Sequence, residues 1–171
     1  MKRWVIWLPL AAFVLFFGVV ALQLYRPDNR EHPSQFVGHP FPIVQLPAAA
    51  SSRPTFTATG GPRLVNVFAS WCIPCIAEAP VLEGMTMQGV PIDGIAIRDR
   101  REDVDAFLAQ NGNPYRSIGL DADSRVQLAI GSSGVPETFI VDAKGVIRHQ
   151  HIGAVSEADV PDLLAKLRAA Q

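Results

Sequence analysis

Two cysteines, Cys72 and Cys75, make up the whole thiol content of the 171-residue chain. They stand three positions apart in FASWCIPCIAEAP, Phe68 to Pro80. Such a pair could clip a metal, staple a loop or carry electrons. A structural zinc site takes four ligands, and with four histidines in all no second ligand pair is evident to complete one. A permanent staple closing so short a loop restricts the unfolded chain little and returns little stability. Electron transfer fits the context better. The apolar run before Cys72 reads as a strand and the residues after it as a helix, so Cys72 falls at a helix N-terminus, where unpaired backbone N–H groups and the macrodipole favour a thiolate. Cys72 is therefore the expected nucleophile. Cys75 lies one turn further in on the same side, near enough to close a disulfide and too deep for a bulky partner, and is the expected resolving thiol.

The elements needed to hold this pair can be read from the hydrophobic pattern. LVNVFAS, 64–70, is a buried strand, and the helix opening at Cys72 ends near Gly89, with Pro80 kinking it. VPIDGIAI, 90–97, is a second strand, EDVDAFLAQNG, 102–112, a second helix, and SRVQLAIG, 124–131, a short third one. ETFIVDAKGVIRHQHIG gives two strands across an Ala143-Lys144-Gly145 turn, and SEADVPDLLAKLRAA ends as an amphipathic helix capped by Ser156. A βαβ unit followed by a hairpin and a terminal helix makes an α/β fold with a mixed central sheet covered by helices on both faces. The charge cluster RDRRED, Arg98 to Asp103, reads as a solvated loop and helix start.

Ahead of this domain, Trp4 to Tyr25 runs 22 residues without a charge, about 33 Å as a helix and long enough to span a bilayer. The flank lacks an A-x-A-like cleavage triplet, so the expectation is an uncleaved N-terminal transmembrane helix, with Trp4, Trp7 and Tyr25 near the interfaces. Lys2 and Arg3 before it favour an orientation that leaves the rest outside the cytoplasm. Residues 26–63 hold seven of the fourteen prolines and read as a tether followed by short edge strands or turns around Phe41 to Leu46 and Phe56. The expected organisation is an anchor at 1–25, a tether at 26–35 and one domain at 36–171. A formal charge of -1 gives no electrostatic reason to expect nucleic-acid binding. His149 and His151 alternate on one strand face and lack a third ligand, so no metal is expected.

Several residues around the cysteines invite roles. Glu78 lies one turn after Cys75. Buried there, it would have a raised pKa and could take the Cys75 proton; the alternative is an ordinary surface glutamate. Pro136 precedes a strand it could not join internally, so the Val135–Pro136 bond belongs to a rigid turn of either isomer. Trp71 is a packing and rim residue beside the nucleophile.

FASWCIPC with Trp71 before the first cysteine, followed by GVPETFIVD at Gly134 to Asp142, resembles the thioredoxin superfamily. Within it the chain is similar to the membrane-anchored thioredoxin-like proteins of cytochrome c maturation, the CcmG/DsbE family. GNPYRSIGLDADS and AKGVIRHQHIG extend the likeness, which covers roughly Phe36 to Arg168. The resemblance implies a thioredoxin-like fold, a cis Val135–Pro136 bond set against the cysteine pair with the Val135 backbone open to an extended substrate, and Glu78 and Glu137 as nearby acids. It implies a thiol:disulfide oxidoreductase that needs no bound cofactor and sits in the inner membrane with its domain in the periplasm. Its partners would be apocytochrome c, or another thiol protein of that pathway, and a membrane electron donor. Ile76 and Ala79 stand where family members often carry Arg and His, which leaves the Cys72 thiolate leaning more on the helix terminus. Two alternatives from other classes stand beside the resemblance: a non-redox scaffold or holdase for apocytochrome in which the cysteines are incidental, and a peroxiredoxin-type peroxidase, whose peroxidatic cysteine context the chain lacks.

Overall fold

The structure, a computed structural model, describes residues 7–24, 36–42, 44–57 and 60–170. The chain forms two compact units, Met1–His32 and Pro33–Gln171. In the first, helix α1 covers Leu8–Leu24 and exposes Leu8, Phe13, Leu15, Phe16 and Leu22, an apolar surface on every side. Its 17 residues reach about 26 Å, less than the ~30 Å hydrocarbon core. Among the described residues no helix is long and apolar enough to cross a membrane. Trp4 and Tyr25, the ends of the expected span, lie outside the described residues.

The second unit is built on strands β1 (Arg63–Phe68), β2 (Ile92–Ile97), β3 (Ile118–Asp121), β4 (Glu137–Val141) and β5 (Ile147–Ile152). They form one sheet in the order β3-β2-β1-β4-β5. The β1–β2 and β2–β3 pairs are parallel, and the β1–β4 and β4–β5 pairs antiparallel, so the sheet is mixed. Both β1 and β2 are buried at every position, as strands covered on both faces must be. Around them run helices α2 (Ile73–Met87), α3 (Arg101–Asn111), α4 (Arg125–Ala129) and α5 (Val160–Ala169). Phe68, Leu82, Ile95, Ile118, Phe139 and Ile140 are among the fully buried side chains that join sheet to helices.

Three local expectations are corrected. The four-residue strand β3 goes unseen in the apolar pattern because its Gly119 interrupts the run. A Cβ there would come within 2.9 Å of Leu46 and Phe56, so glycine is what lets the chain entering the domain lie against the edge. That entering segment, expected to hold short edge strands or turns around Phe41 to Leu46 and Phe56, forms isolated bridges among its described residues, Pro40 with Val146 and Ala48 with Gly119. Pro47 and Pro54 carbonyls accept from Leu120 and Ile118 N–H at 2.8 and 3.0 Å, which covers the exposed edge of β3, and Phe41 and Phe56 are buried. At the other end, Ser156 does not cap α5. Its N–H and Oγ both donate to Asp159 Oδ2, at 2.8 and 2.5 Å, in a turn that precedes the helix, with Pro161 in the first turn, where its missing N–H costs nothing.

Candidate active site

Strand β1 ends in the centre of the sheet and delivers the chain straight into α2. Cys72 is the N-cap, with extended backbone at φ -89° and ψ 108°, and its Sγ accepts the Cys75 N–H at 3.3 Å. This is the bond a capping oxygen ordinarily makes to the third helical residue; with a thiolate in that place it would stabilise the negative charge. Cys72 and Cys75 are joined in a disulfide with Cα atoms 5.3 Å apart. Both are nearly buried, at 4% and 2% exposure, beneath a rim of open apolar side chains: Trp71 at 57%, Ile73 at 78% and Ile76 at 42%.

The turn before Cys72 is held from the side. Ser70 donates through N–H and Oγ to the Asp99 carboxylate at 2.6 and 2.8 Å, and Trp71 Nε1 donates to the Arg98 carbonyl at 3.3 Å. Asp99 is buried, so the charge cluster read as a solvated loop contributes one acid to the frame of the site. A groove of about 560 Å³ opens beside Trp71 and Ile76, lined further by Arg98, Asp103 and Phe107.

Glu78 lies on the buried side of α2, the side that also holds Cys75. Its Oε1 accepts Asn66 Nδ2 at 3.0 Å and its Oε2 accepts the Val155 N–H at 2.9 Å. Burial raises its pKa from 4.5 to about 7, the two N–H donors holding it back from rising further. Desolvation disfavours the carboxylate while hydrogen bonds to the charged form favour it, and the balance leaves an acid able to exchange a proton near neutrality.

The Val135–Pro136 bond is cis, as the family resemblance implies. Val135 is partly buried against the core. Glu137, the other acid expected near the cysteines, is placed differently. It pairs with Val67 across β1 and β4, one position before Thr138; Thr138 Oγ1 meets Asn66, so alternation along the strand sends Glu137 to the opposite face from Glu78. There its carboxylate accepts from Ser133 N–H at 2.9 Å, from Ser133 Oγ and from Gln150 Nε2 at 2.9 Å. It braces the loop that carries Pro136. His149 Nε2 sits 3.4 Å from Lys166 Nζ, and among the described residues no group of three or more His, Cys, Asp or Glu is gathered for a metal.

Asn66, Tyr115, Thr138 and Asp99 were not singled out in the sequence. Asn66 had a visible signal, as the one polar residue inside the apolar stretch LVNVF.

Residues 36–167 match the Redoxin family. The chain is 42% identical to the thiol:disulfide interchange protein DsbE of Pseudomonas fluorescens biotype C, over 96% of this chain and 93% of that one. It is 34% identical to DsbE of Escherichia coli (strain K12), over 90% and 87%. The chain belongs to the CcmG/DsbE family. Among solved structures it is similar to a thio-disulfide isomerase from Thermus thermophilus, with TM-score 0.61 and 26% identity over 77% of this chain and 96% of that one. It also shares its fold with a thioredoxin-family thiol:disulfide interchange protein from Chlorobium tepidum TLS, with TM-score 0.61 and 22% identity over 77% and 94%. The thioredoxin-like fold expected from FASWCIPC is thus the fold observed. Like its DsbE relatives, the chain is a thiol-disulfide oxidoreductase acting on thiol-containing partner proteins, and Cys72 and Cys75 are the only thiols in the chain with which it can do so.

Proposed function

We propose that this DsbE-type protein is a membrane-anchored reductant of cytochrome c biogenesis, reducing the haem-attachment disulfide of an apocytochrome c or of a partner thiol protein on that pathway. The apolar helix α1, with Lys2 and Arg3 ahead of it in the sequence, supports a single-pass anchor at 1–25 in the inner membrane, with a tether at 26–35 and the catalytic domain at 36–171 in the periplasm. The observation that carries the chemistry is the Cys72–Cys75 disulfide closed on the N-cap of α2, with Glu78 buried one turn beneath it.

In the reduced protein Cys72, as thiolate, attacks one sulfur of the substrate disulfide, forms a mixed disulfide and expels the other substrate sulfur as a thiolate. Cys75 passes its proton to the Glu78 carboxylate and attacks Cys72 Sγ, closing the disulfide seen here and releasing the second substrate sulfur. Two electrons have then moved from the protein to the substrate, and a membrane donor returns two to reopen the pair. Trp71, Ile73 and Ile76 give the partner an apolar landing rim, and the family resemblance assigns the Val135 backbone to pair with its extended segment. The direction is set by reduction potentials against these partners.

Cys75→Ser leaves the first attack intact and removes the second. In membranes from cells carrying it we expect a reductant-sensitive adduct through Cys72 that contains an apocytochrome c or a thiol protein of its maturation, retained after carbonate washing. Absence of any adduct overturns the two-step mechanism, an adduct with unrelated proteins alone overturns the cytochrome role, and release by carbonate overturns the anchor. A scaffold would work equally well as Cys72→Ala, which we expect to be inactive.

A further inference from the structure

Behind Glu78 lies a buried chain of hydrogen bonds that the exchange reaction does not by itself explain. Asn66, at the middle of β1, donates from Nδ2 to Glu78 Oε1 and to Thr138 Oγ1, both at 3.0 Å. Its Oδ1 accepts the Tyr115 hydroxyl at 2.8 Å. Tyr115 comes from the segment leading into β3, 49 residues away from Asn66, and its ring stacks on Phe68 with centroids 4.7 Å apart. Gly94 makes room for it: a Cβ there would stand 3.0 Å from both rings. Asn66 and Thr138 are fully buried, Glu78 and Tyr115 nearly so.

We propose that Tyr115 and Asn66 are positioning residues for the Cys75 proton transfer: the phenol pins the Asn66 carboxamide so that its NH₂, and not its oxygen, faces Glu78. The proposal rests on Glu78 being the base, as argued above. A carboxamide can turn over and exchange its donor and acceptor ends. Turned, it would offer Oδ1 to Glu78, an arrangement that suits the protonated acid and repels the carboxylate. It would also turn its NH₂ towards Tyr115, whose own O–H donates in the structure to Asn66 Oδ1 alone; a buried donor left without a partner is costly. The tyrosine hydroxyl therefore selects the orientation that stabilises the carboxylate, the form of Glu78 able to receive a proton.

After burial, which comes first, and the Val155 N–H, which comes second, the Asn66 amide is the remaining influence on the charge of Glu78. From β1 comes Asn66, from β4 Thr138, from the loop after β5 the Val155 N–H, and from α2 itself Cys75. Among the described residues, burial and two neutral N–H donors set the charge state of Glu78. Tyr115 stays protonated, held well above its ordinary pKa by burial first and by the Glu78 charge second, so it acts as a fixed donor and never as a competing acid.

The test uses the full chain in detergent micelles, in the disulfide form, with ¹³C-labelled glutamate carboxyls assigned by the signal missing from E78Q. In Tyr115→Phe the Glu78 titration should move up by about one pH unit. The resolving step, followed by stopped-flow release of a model disulfide substrate, should slow about fivefold at pH 7 and recover towards the native rate at high pH. A purely structural role for the hydroxyl would lower stability and leave both profiles in place, and that result overturns the proposal. Should Y115F fail to fold, the native protein decides: the Asn66 side-chain amide protons must shift in step with the Glu78 carboxyl, and amide signals that stay still through its titration overturn the proposal. An E78Q protein with an unchanged pH profile of resolution would instead overturn Glu78 as the base, an outcome read separately from the carboxyl titration in Y115F.

Discussion

Two carboxylates are buried in this domain in opposite ways. Asp93, in β2, meets two guanidiniums: Arg63 Nε at 3.2 Å and Arg116 Nη2 at 2.8 Å, with Ser117 Oγ at 2.9 Å completing its shell. Glu78, beneath the cysteines, meets only neutral N–H donors. Arg63 opens β1, Asn66 lies at its middle and the cysteines follow its far end, so a single strand supplies a partner to each acid: a cation to Asp93 and a neutral amide to Glu78. A carboxylate paired with cations in low dielectric is fixed in place, while one offered only neutral donors sits close to the balance between its two protonation states. The first arrangement builds the fold, and the second can do chemistry.

The largest expected effect breaks the fixed end. Asp93→Asn leaves the almost wholly buried Arg63 without its counter-charge and should cost about 3–5 kcal/mol in denaturant unfolding, with the Cys72/Cys75 reduction potential unmoved. A potential that shifted with stability would mean that the two ends of β1 are not independent.

Glu78→Gln tests the other end, and its signature is pH dependence. The folded state holds the Glu78 proton to about pH 7, whereas the unfolded chain releases it near 4.5. Between those values the folded state binds more protons, so stability falls as pH rises, fully present below 4.5 and lost above 7. A shift of that size corresponds to on the order of 3 kcal/mol. Removing the acid should flatten that slope in unfolding free energies measured from pH 4 to 8, and should slow resolution by Cys75 about 100-fold at neutral pH. An unchanged slope would show that Glu78 is not the group that titrates.

The smallest effect concerns another of the buried acids, Glu137. Glu137 keeps two donors when Ser133→Ala removes the hydroxyl, so the loss should be about 1 kcal/mol, read as a drop in thermal midpoint with little change in disulfide exchange rate. A large loss of exchange with intact stability would place Glu137 in the chemistry after all.

What the linear sequence made legible follows from how local each feature is. The N-cap position of Cys72 depends on a strand, a turn and a helix contiguous in FASWCIPCIAEAP, and the amphipathic helices and the hairpin at Ala143-Lys144-Gly145 are likewise written in neighbouring residues. Strand β3 escaped because four residues with a glycine among them carry no periodicity of their own. Its place comes from β2 on one side and the entering segment at Pro47 and Pro54 on the other.

By itself the sequence determined the reaction class, because a Cys-x-x-Cys closing on a helix N-terminus needs no distant partner to be a redox pair. It could not determine which acid lies on the buried side of α2 with Cys75. The family pattern sets both Glu78 and Glu137 near the cysteine pair; Glu78 lies on the buried side of α2, while the alternation of β4, in a sheet whose strands come from distant parts of the chain, turns Glu137 to the far face. Nor could it assign the surroundings that set the proton affinity of Glu78. Val155 lies 77 residues from it and Tyr115 lies 49 from Asn66, and groups so far apart in sequence meet only when the whole core closes around them.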